Sequence, residues 1–384
     1  MKEKVVLLKN QGYNVDRIEE KLREGFDLLG GDAYVRQLIP TGAKVLLKPN
    51  LLSVENMDSP VFTNHVFFET VIRVLKDYTD QLTFGDSPGF GTSQRAAQKA
   101  GLMEVAKRYG VAFDDFTDKV TVQLHDSLLV KNWEVARVSY ESDVLISLPK
   151  LKTHGMMYFT GAVKNQFGCV PGTQKALWHA RMNNSRNFAK MLLDLNQVVQ
   201  TKFAIMDAIV AMEGNGPKSG TPRAMDAILM GPSITAVDSV ALQLIGYEDP
   251  TEVPQYDVVR ETGWGPVLPQ DIQVAGEDLE TMKVDDFQKI RGTKEIFGNL
   301  DSLKLVKNFI APYPKLTWEK CISCNRCEEV CPERPKVITM TEKQGKMVPV
   351  FDRKTCIRCF CCQELCPVGA LEVGETLLGK LLYR

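Results

Sequence analysis

Along the first three hundred residues, short aliphatic and β-branched runs alternate with longer segments whose apolar positions recur at helical spacing. Residues 5–8 predict a first strand, and residues 16–29 a helix that stops at Gly30-Gly31. A second strand over 44–47 stops at Lys48-Pro49-Asn50, and a helix capped by Thr63 or Asn64 runs to about Tyr78. A strand over 81–84, the turn Gly85-Asp86-Ser87-Pro88-Gly89 and a helix over 93–109 come next. Residues 135–140 and 143–148 read as strands, the second leading into Pro149-Lys150-Leu151-Lys152-Thr153-His154. Residues 203–210 and 227–230 are further strands, and 235–244 a helix with Asp238 in its early turns. This alternation predicts an α/β domain with a largely parallel sheet over residues 1–300.

The pattern also sorts the polar residues. Lys48, Asn50, Asp86, Ser87, Lys150, Lys152, His154 and Glu213 all fall where a predicted strand ends. In open α/β sheets the crevice beyond the carboxyl ends of the strands is the ligand site, so these segments are expected to converge on one pocket. Ammonium groups there attract phosphates or carboxylates, and Lys150, Lys152 and Lys164 are embedded among apolar residues and glycines. Lys175 reads instead as part of a solvated face. His154 is a candidate proton carrier, because an imidazole titrates near neutrality, with a hydrogen-bonded structural role as the alternative. His65 and His125 read as structural, and His179 beside Trp178 is open. Cys169, in Gly168-Cys169-Val170-Pro171-Gly172, reads as a small buried hydrophobe. Asp207, Glu213 and Asp238 would bind a divalent cation if the fold joined them, although helix capping is the simpler role for Asp238. Neither a phosphate loop nor a strand followed by G-x-G-x-x-G is present.

After residue 300 the pattern changes. Residues 301–316, with Pro312-Tyr313-Pro314, predict a stiff linker. Residues 317–374 then carry Cys321, Cys324, Cys327 and Cys331-Pro332, followed after a 24-residue interval by Cys356, Cys359, Cys362 and Cys366-Pro367. Each half is C-x2-C-x2-C-x3-C-P, the bacterial ferredoxin spacing for two 4Fe-4S clusters, in which each fourth cysteine crosses to the other cluster. Cys321, Cys324, Cys327 and Cys366 are therefore assigned to one cluster, and Cys356, Cys359, Cys362 and Cys331 to the other. Structural zinc sites do not use tandem four-cysteine runs, and a disulfide framework belongs to secreted chains. The result is a small α+β ferredoxin-like module that its clusters hold together, with residues 375–384 as a tail.

Composition narrows the partners. Lys and Arg total 47 against 48 Asp and Glu, a net charge of −1 that gives no basic surplus for nucleic acid. No run approaches the ~20 apolar residues of a membrane span. The first eight residues lack the apolar stretch of a signal peptide. Free thiols beside clusters predict a reducing cytoplasm, in an organism that meets little oxygen. An electron donor or acceptor protein is the expected partner.

Four stretches resemble the family catalogued as domain of unknown function 362, which often carries such a ferredoxin module: Lys48-Pro49-Asn50, residues 85–89, residues 143–154 and residues 161–172. A weaker likeness to the lactate racemase family rests on Ile146, His154, Phe159-Thr160-Gly161, Lys164 and Pro171-Gly172, with His179 matching a later histidine. That resemblance implies a pocket in the same place and a nucleotide cofactor tethered to a lysine. Where that family has Gly-Thr-His-Arg, this chain has Gly85-Asp86-Ser87-Pro88, so two-histidine proton transfer is not implied. The first functional expectation is an iron–sulfur oxidoreductase that passes low-potential electrons to an anionic small molecule. Lys48, Asn50, Asp86, Ser87, Lys150, Lys152 and Asn165 would bind that molecule, with His154 and Lys164 catalytic. The alternatives are a racemase- or isomerase-like enzyme with a further, lysine-anchored cofactor, and a non-enzymatic electron carrier or assembly factor.

Overall fold

The computed structural model describes residues 2–52, 57–89, 91–172, 174–182, 184–290, 313–374 and 376. Most of the expected linker (301–312) and the tail (375 and 377–384) lie outside the described residues.

The α/β domain is built on one ten-stranded sheet whose main path runs β12 (Ile272–Gly276), β1 (Glu3–Lys9), β11 (Thr221–Gly231), β10 (Phe203–Glu213), β7 (Val144–Leu148), β2 (Val45–Pro49), β3 (Leu82–Gly85), β4 (Ala112–Asp114). Neighbours are parallel except β11, which runs antiparallel to both β1 and β10. Strands buried on both faces are apolar at every position, and β1 shows why: Val5 and Leu7 enter one core while Val6 and Leu8 enter the other. The helices Val15–Leu29, His65–Leu75 and Leu102–Tyr109 cover the second core. Ser185–Val199, Ile234–Leu244 and Pro254–Thr262 cover the first.

Three expectations change. The helix over 93–109 is two helices, Ser93–Lys99 and Leu102–Tyr109, because Gly101 between them is left-handed at φ 77°. The strand over 135–140 ends at Ala136, and Arg137–Glu141 forms a helical turn closed by the Arg137–Glu141 ion pair at 2.9 Å. Pro149 interrupts its strand without ending it. β8 (Lys150–His154) continues the line of β7 along β10, with Asp207 N–H donating to the Pro149 carbonyl at 2.9 Å, and turns back through β9 (Tyr158–Thr160).

The C-terminal module has two small antiparallel ribbons, β13 (Tyr313–Leu316) with β16 (Leu371–Gly374) and β14 (Ile338–Lys343) with β15 (Lys346–Phe351). Residues 313–316, expected in the linker, are thus a strand of the module, since Pro314 occupies a ribbon edge where its missing N–H is tolerated. The module packs on the domain. Phe360 joins the larger core, the Gln363 amide donates to Asn215 Oδ1 at 2.8 Å and to the Gly216 carbonyl at 3.0 Å, and Asn215 donates to the Leu371 carbonyl.

Candidate functional site

Where β2, β3 and β7 end, a buried polar network replaces the apolar core. Lys48 Nζ lies 2.7 Å from Asp86 Oδ1, and both side chains are almost fully buried. Asp86 Oδ2 accepts the Leu51 N–H at 2.6 Å. Asn165 binds the strand ends together: its amide donates to the Lys48 carbonyl and Ser147 Oγ, while its Oδ1 accepts from Lys48 Nζ and Asn50. Lys152 Nζ donates to Asn50 Oδ1 at 2.7 Å and to the Val61 carbonyl at 2.5 Å. Gly168 permits this closeness, since a Cβ there would sit 1.8 Å from Asp86 Oδ1.

Over this network lies a cavity of about 370 Å³, large enough for a metabolite-sized ligand. Six of the nine residues expected in a ligand site line it: Asn50, Asp86, Ser87, Lys152, Lys164 and Asn165. Lys48 stands behind them, paired with Asp86. Lys150 does not line it. Its ammonium is sealed against Asp207 Oδ2 at 2.8 Å and Tyr13 Oη at 2.7 Å, a buried ion pair that satisfies its charge. His154 does not line it either. Its Nδ1 accepts the Met156 and Met157 N–H groups, which leaves the ring proton on Nε2, 2.9 Å from Glu364 Oε1 of the module. Nδ1 is taken up within the domain and Nε2 is turned to Glu364 across the domain boundary, so the proton-carrier expectation for His154 gives way to the structural alternative.

The cavity also holds groups that the strand-end pattern did not single out. Thr160 Oγ1 and His179 Nδ1 are buried without hydrogen-bond partners among the described residues and line it. The His179 ring is held between Phe188, stacked at 4.6 Å, and the edge of Phe167. Lys175, expected on a solvated face, is buried and donates to Ser87 Oγ at 2.8 Å and the Val170 carbonyl at 2.7 Å. Gly172 N–H also donates to Ser87 Oγ, so the serine oxygen accepts twice and its own proton is available to a ligand. Lys175 and His179 are four residues apart on one helix, Gln174–Arg181, a spacing that places both on one face.

Burial sets the charges. It lowers the Lys152 pKa far below that of a free lysine, lowers that of Lys164, and brings that of Lys175 down to about 7. It also pushes His179 down to about 4, leaving the ring neutral at physiological pH. Burial alone would raise the Glu364 carboxyl, but His154, His179 and Lys164 outweigh it and hold Glu364 at about 2. Lys164 Nζ has no hydrogen-bond partner among the described residues. The cavity therefore offers ammonium, hydroxyl and imidazole groups to an anion. Cys169 is buried away from it, with burial pushing its thiol up to about 11.

The far wall comes from the module: Cys331, Arg334, Cys361 and Glu364 face the same space. Two small cavities inside the module each have four cysteines in their walls. Cys321, Cys324, Cys327 and Cys366 line one, with Leu316 and Ile322, and Cys331, Cys356, Cys359 and Cys362 line the other, with Phe351 and Phe360. The loops curl through left-handed residues at matching motif positions, Ser323 with Asn325 and Arg358 with Phe360, at φ 58° to 63°. Thiols spread around an apolar cavity suit a cubane cluster. Among the described residues no three His, Cys, Asp or Glu side chains gather tightly enough for a single ion, and Asp207, Glu213 and Asp238 are separately bonded. The divalent-cation expectation for those three carboxylates is thereby corrected. No helix among the described residues is long and apolar enough to cross a membrane.

Similarity to known proteins falls in both parts of the chain. The 4Fe-4S dicluster domain model matches residues 320–370. The thylakoid-associated protein sll1697 of Synechocystis sp. is 30% identical over 267 residues, 69% of this chain and 81% of that protein. Two solved structures are similar over part of their length at a TM-score of 0.37: a Thermotoga maritima protein at 14% identity and the lactate racemase apoprotein of Thermoanaerobacterium thermosaccharolyticum at 10%. The former alignment covers 56% of this chain and 55% of that one, and the latter 59% and 54%, so the chain spans about half the length of each. The family model described as Domain of unknown function (DUF362) matches residues 45–243, and the chain belongs to that family as an iron–sulfur protein with a 4Fe-4S ferredoxin-type domain.

Proposed function

We propose that this protein is an iron–sulfur oxidoreductase that delivers single electrons to an anionic small molecule held in the cavity between its two domains. The observation that carries this reading is Cys331, which lines both the cavity and one of the two cysteine sets. The set Cys331, Cys356, Cys359 and Cys362 would hold the near cluster, and Cys321, Cys324, Cys327 and Cys366 the far one. A 4Fe-4S cluster supplies one-electron redox chemistry.

Cys324 is exposed on the far side and Ile322 beside it is 58% exposed, so the far set is where an electron-carrier protein would exchange electrons with the chain. Within the cavity Lys164, Thr160 and Ser87 bind and orient the anion. Lys152 holds Asn50. His179, neutral and unpartnered at Nδ1, is the group placed to pass a proton, in place of His154.

The test is anaerobic. Protein reduced with dithionite and freed of excess reductant is mixed with a panel of small carboxylates and phosphates while cluster absorbance is followed. A panel member should reoxidise the wild type within seconds and Lys164→Met at least tenfold more slowly, with both clusters still present in the variant. Reoxidation at an unchanged rate in Lys164→Met would exclude a route through this cavity.

A further inference from the structure

Lys164 sits on a single helical turn, Ala162–Asn165, which has too few residues to hold its own position. Its first N–H groups are orphans unless something accepts from them, and the residue before it, Gly161, has no side chain to do so. The acceptor comes from the middle of another helix. Asp238, fully buried in Ile234–Leu244, takes the Ala162 N–H on Oδ1 at 2.6 Å and the Val163 N–H on Oδ2 at 2.9 Å. Ser233 caps Asp238's own helix, so the capping role expected of Asp238 is real but serves a distant turn. A Cβ on Gly161 would lie 2.1 Å from Asp238 Oδ1, which only a glycine avoids.

The carboxylate is itself fixed. Tyr256 Oη donates to Asp238 Oδ2 at 2.6 Å, and Gln255 donates to Tyr256 Oη at 2.7 Å. Asn196 donates to the Val163 carbonyl at 2.9 Å from the other side. Together with the four bonds of the Asn165 side chain, these contacts clamp the turn at both ends. From the clamped turn the Lys164 side chain reaches the cavity, beside Asn165, which also lines it.

We infer that Asp238 is a positioning residue for Lys164: its carboxylate, set by Tyr256 and admitted by Gly161, holds the turn so that the Lys164 amine stays in the cavity. The functional consequence rests on the reading of Lys164 as a ligand group, whereas the geometry stands without it. Asp238 does not line the cavity. An asparagine in its place presents one acceptor and one N–H2 to two backbone donors, so one bond is lost and one becomes repulsive.

The experiment reads Lys164 itself and needs no substrate. Holoprotein under argon is pulsed with acetic anhydride over a pH series, and acetylation of the Lys164 peptide is measured by mass spectrometry. In the wild type the midpoint should fall below that of a solvent lysine, as burial dictates. Asp238→Asn should move it upward toward the solvent value, because the released turn lets the amine reach water. Gly161→Ala, which forces a methyl into the carboxylate, should move it the same way, and Tyr256→Phe less far. Cluster absorbance and circular dichroism identify variants that have kept the fold. If folded variants retain the wild-type Lys164 midpoint, the inference is overturned. Because reoxidation by the ligand panel is read separately, failure of the redox reading would leave this result intact.

Discussion

Lys175 shows how burial, more than the count of charges, determines what the cavity binds. Its pKa of about 7 leaves it half-charged near neutrality. Below that pH the ammonium is present and favours an anion, and above it the neutral amine does not. The affinity of the cavity for sulfate, whose charge is constant over this range, should therefore weaken several-fold between about pH 6 and about pH 9. Lys175→Met should bind sulfate weakly with a much flatter pH profile. Calorimetric titration checks both, and a wild-type affinity that is level or rises with pH would contradict the assignment. At this scale the strand-end residues were legible, because polar groups beyond apolar strands have few places to go. The sequence was silent on where alternate residues of β8 would turn. Lys150 and His154 found Asp207, Tyr13 and Glu364, partners tens to hundreds of residues away. The signal that would have found Lys175 and His179 is their i, i+4 spacing on one helix.

Among the elements, the cysteine loops are the most legible and the short turns the least. Two repeats of one spacing lead to the expectation of crossed cluster ligands, as in two-cluster ferredoxins, and two cysteine-lined cavities have the corresponding membership. Cys331→Ala should thus damage the cluster of the second motif and Cys366→Ala that of the first. EPR spectra of the reduced variants, compared with Cys356→Ala and Cys321→Ala respectively, check the pairing. Resemblance of Cys331→Ala to Cys321→Ala would refute it. The turn Ala162–Asn165 gave no sequence signal of its own, since its cap lies 76 positions away in the chain. Likewise the run Asp143–His154 reads as strand and then loop, whereas Pro149 merely hands the strand from one set of ladder bonds to the next.

For the whole molecule, the decisive feature is the seating of the module. Asn215, Gln363, Phe360 and the His154–Glu364 contact place Cys331 against the cavity. None of this was visible in the sequence, because contacts between Asn215 and Gln363 and between His154 and Glu364 join residues 148 and 210 positions apart and leave no local pattern. The arrangement implies that charge in the cavity is felt by one cluster more than by the other. Lys164 is the group to remove, because it lines the cavity with no hydrogen-bond partner among the described residues, and loss of a nearby positive charge destabilises a cluster's reduced form. The most direct measurement is an EPR-monitored potentiometric titration of wild type and Lys164→Met, with the clusters identified by Cys331→Ala and Cys366→Ala. The near cluster's potential should fall by tens of millivolts while the far cluster's stays within error. Equal shifts, or none in either cluster, would contradict the claim that the near cluster serves this cavity.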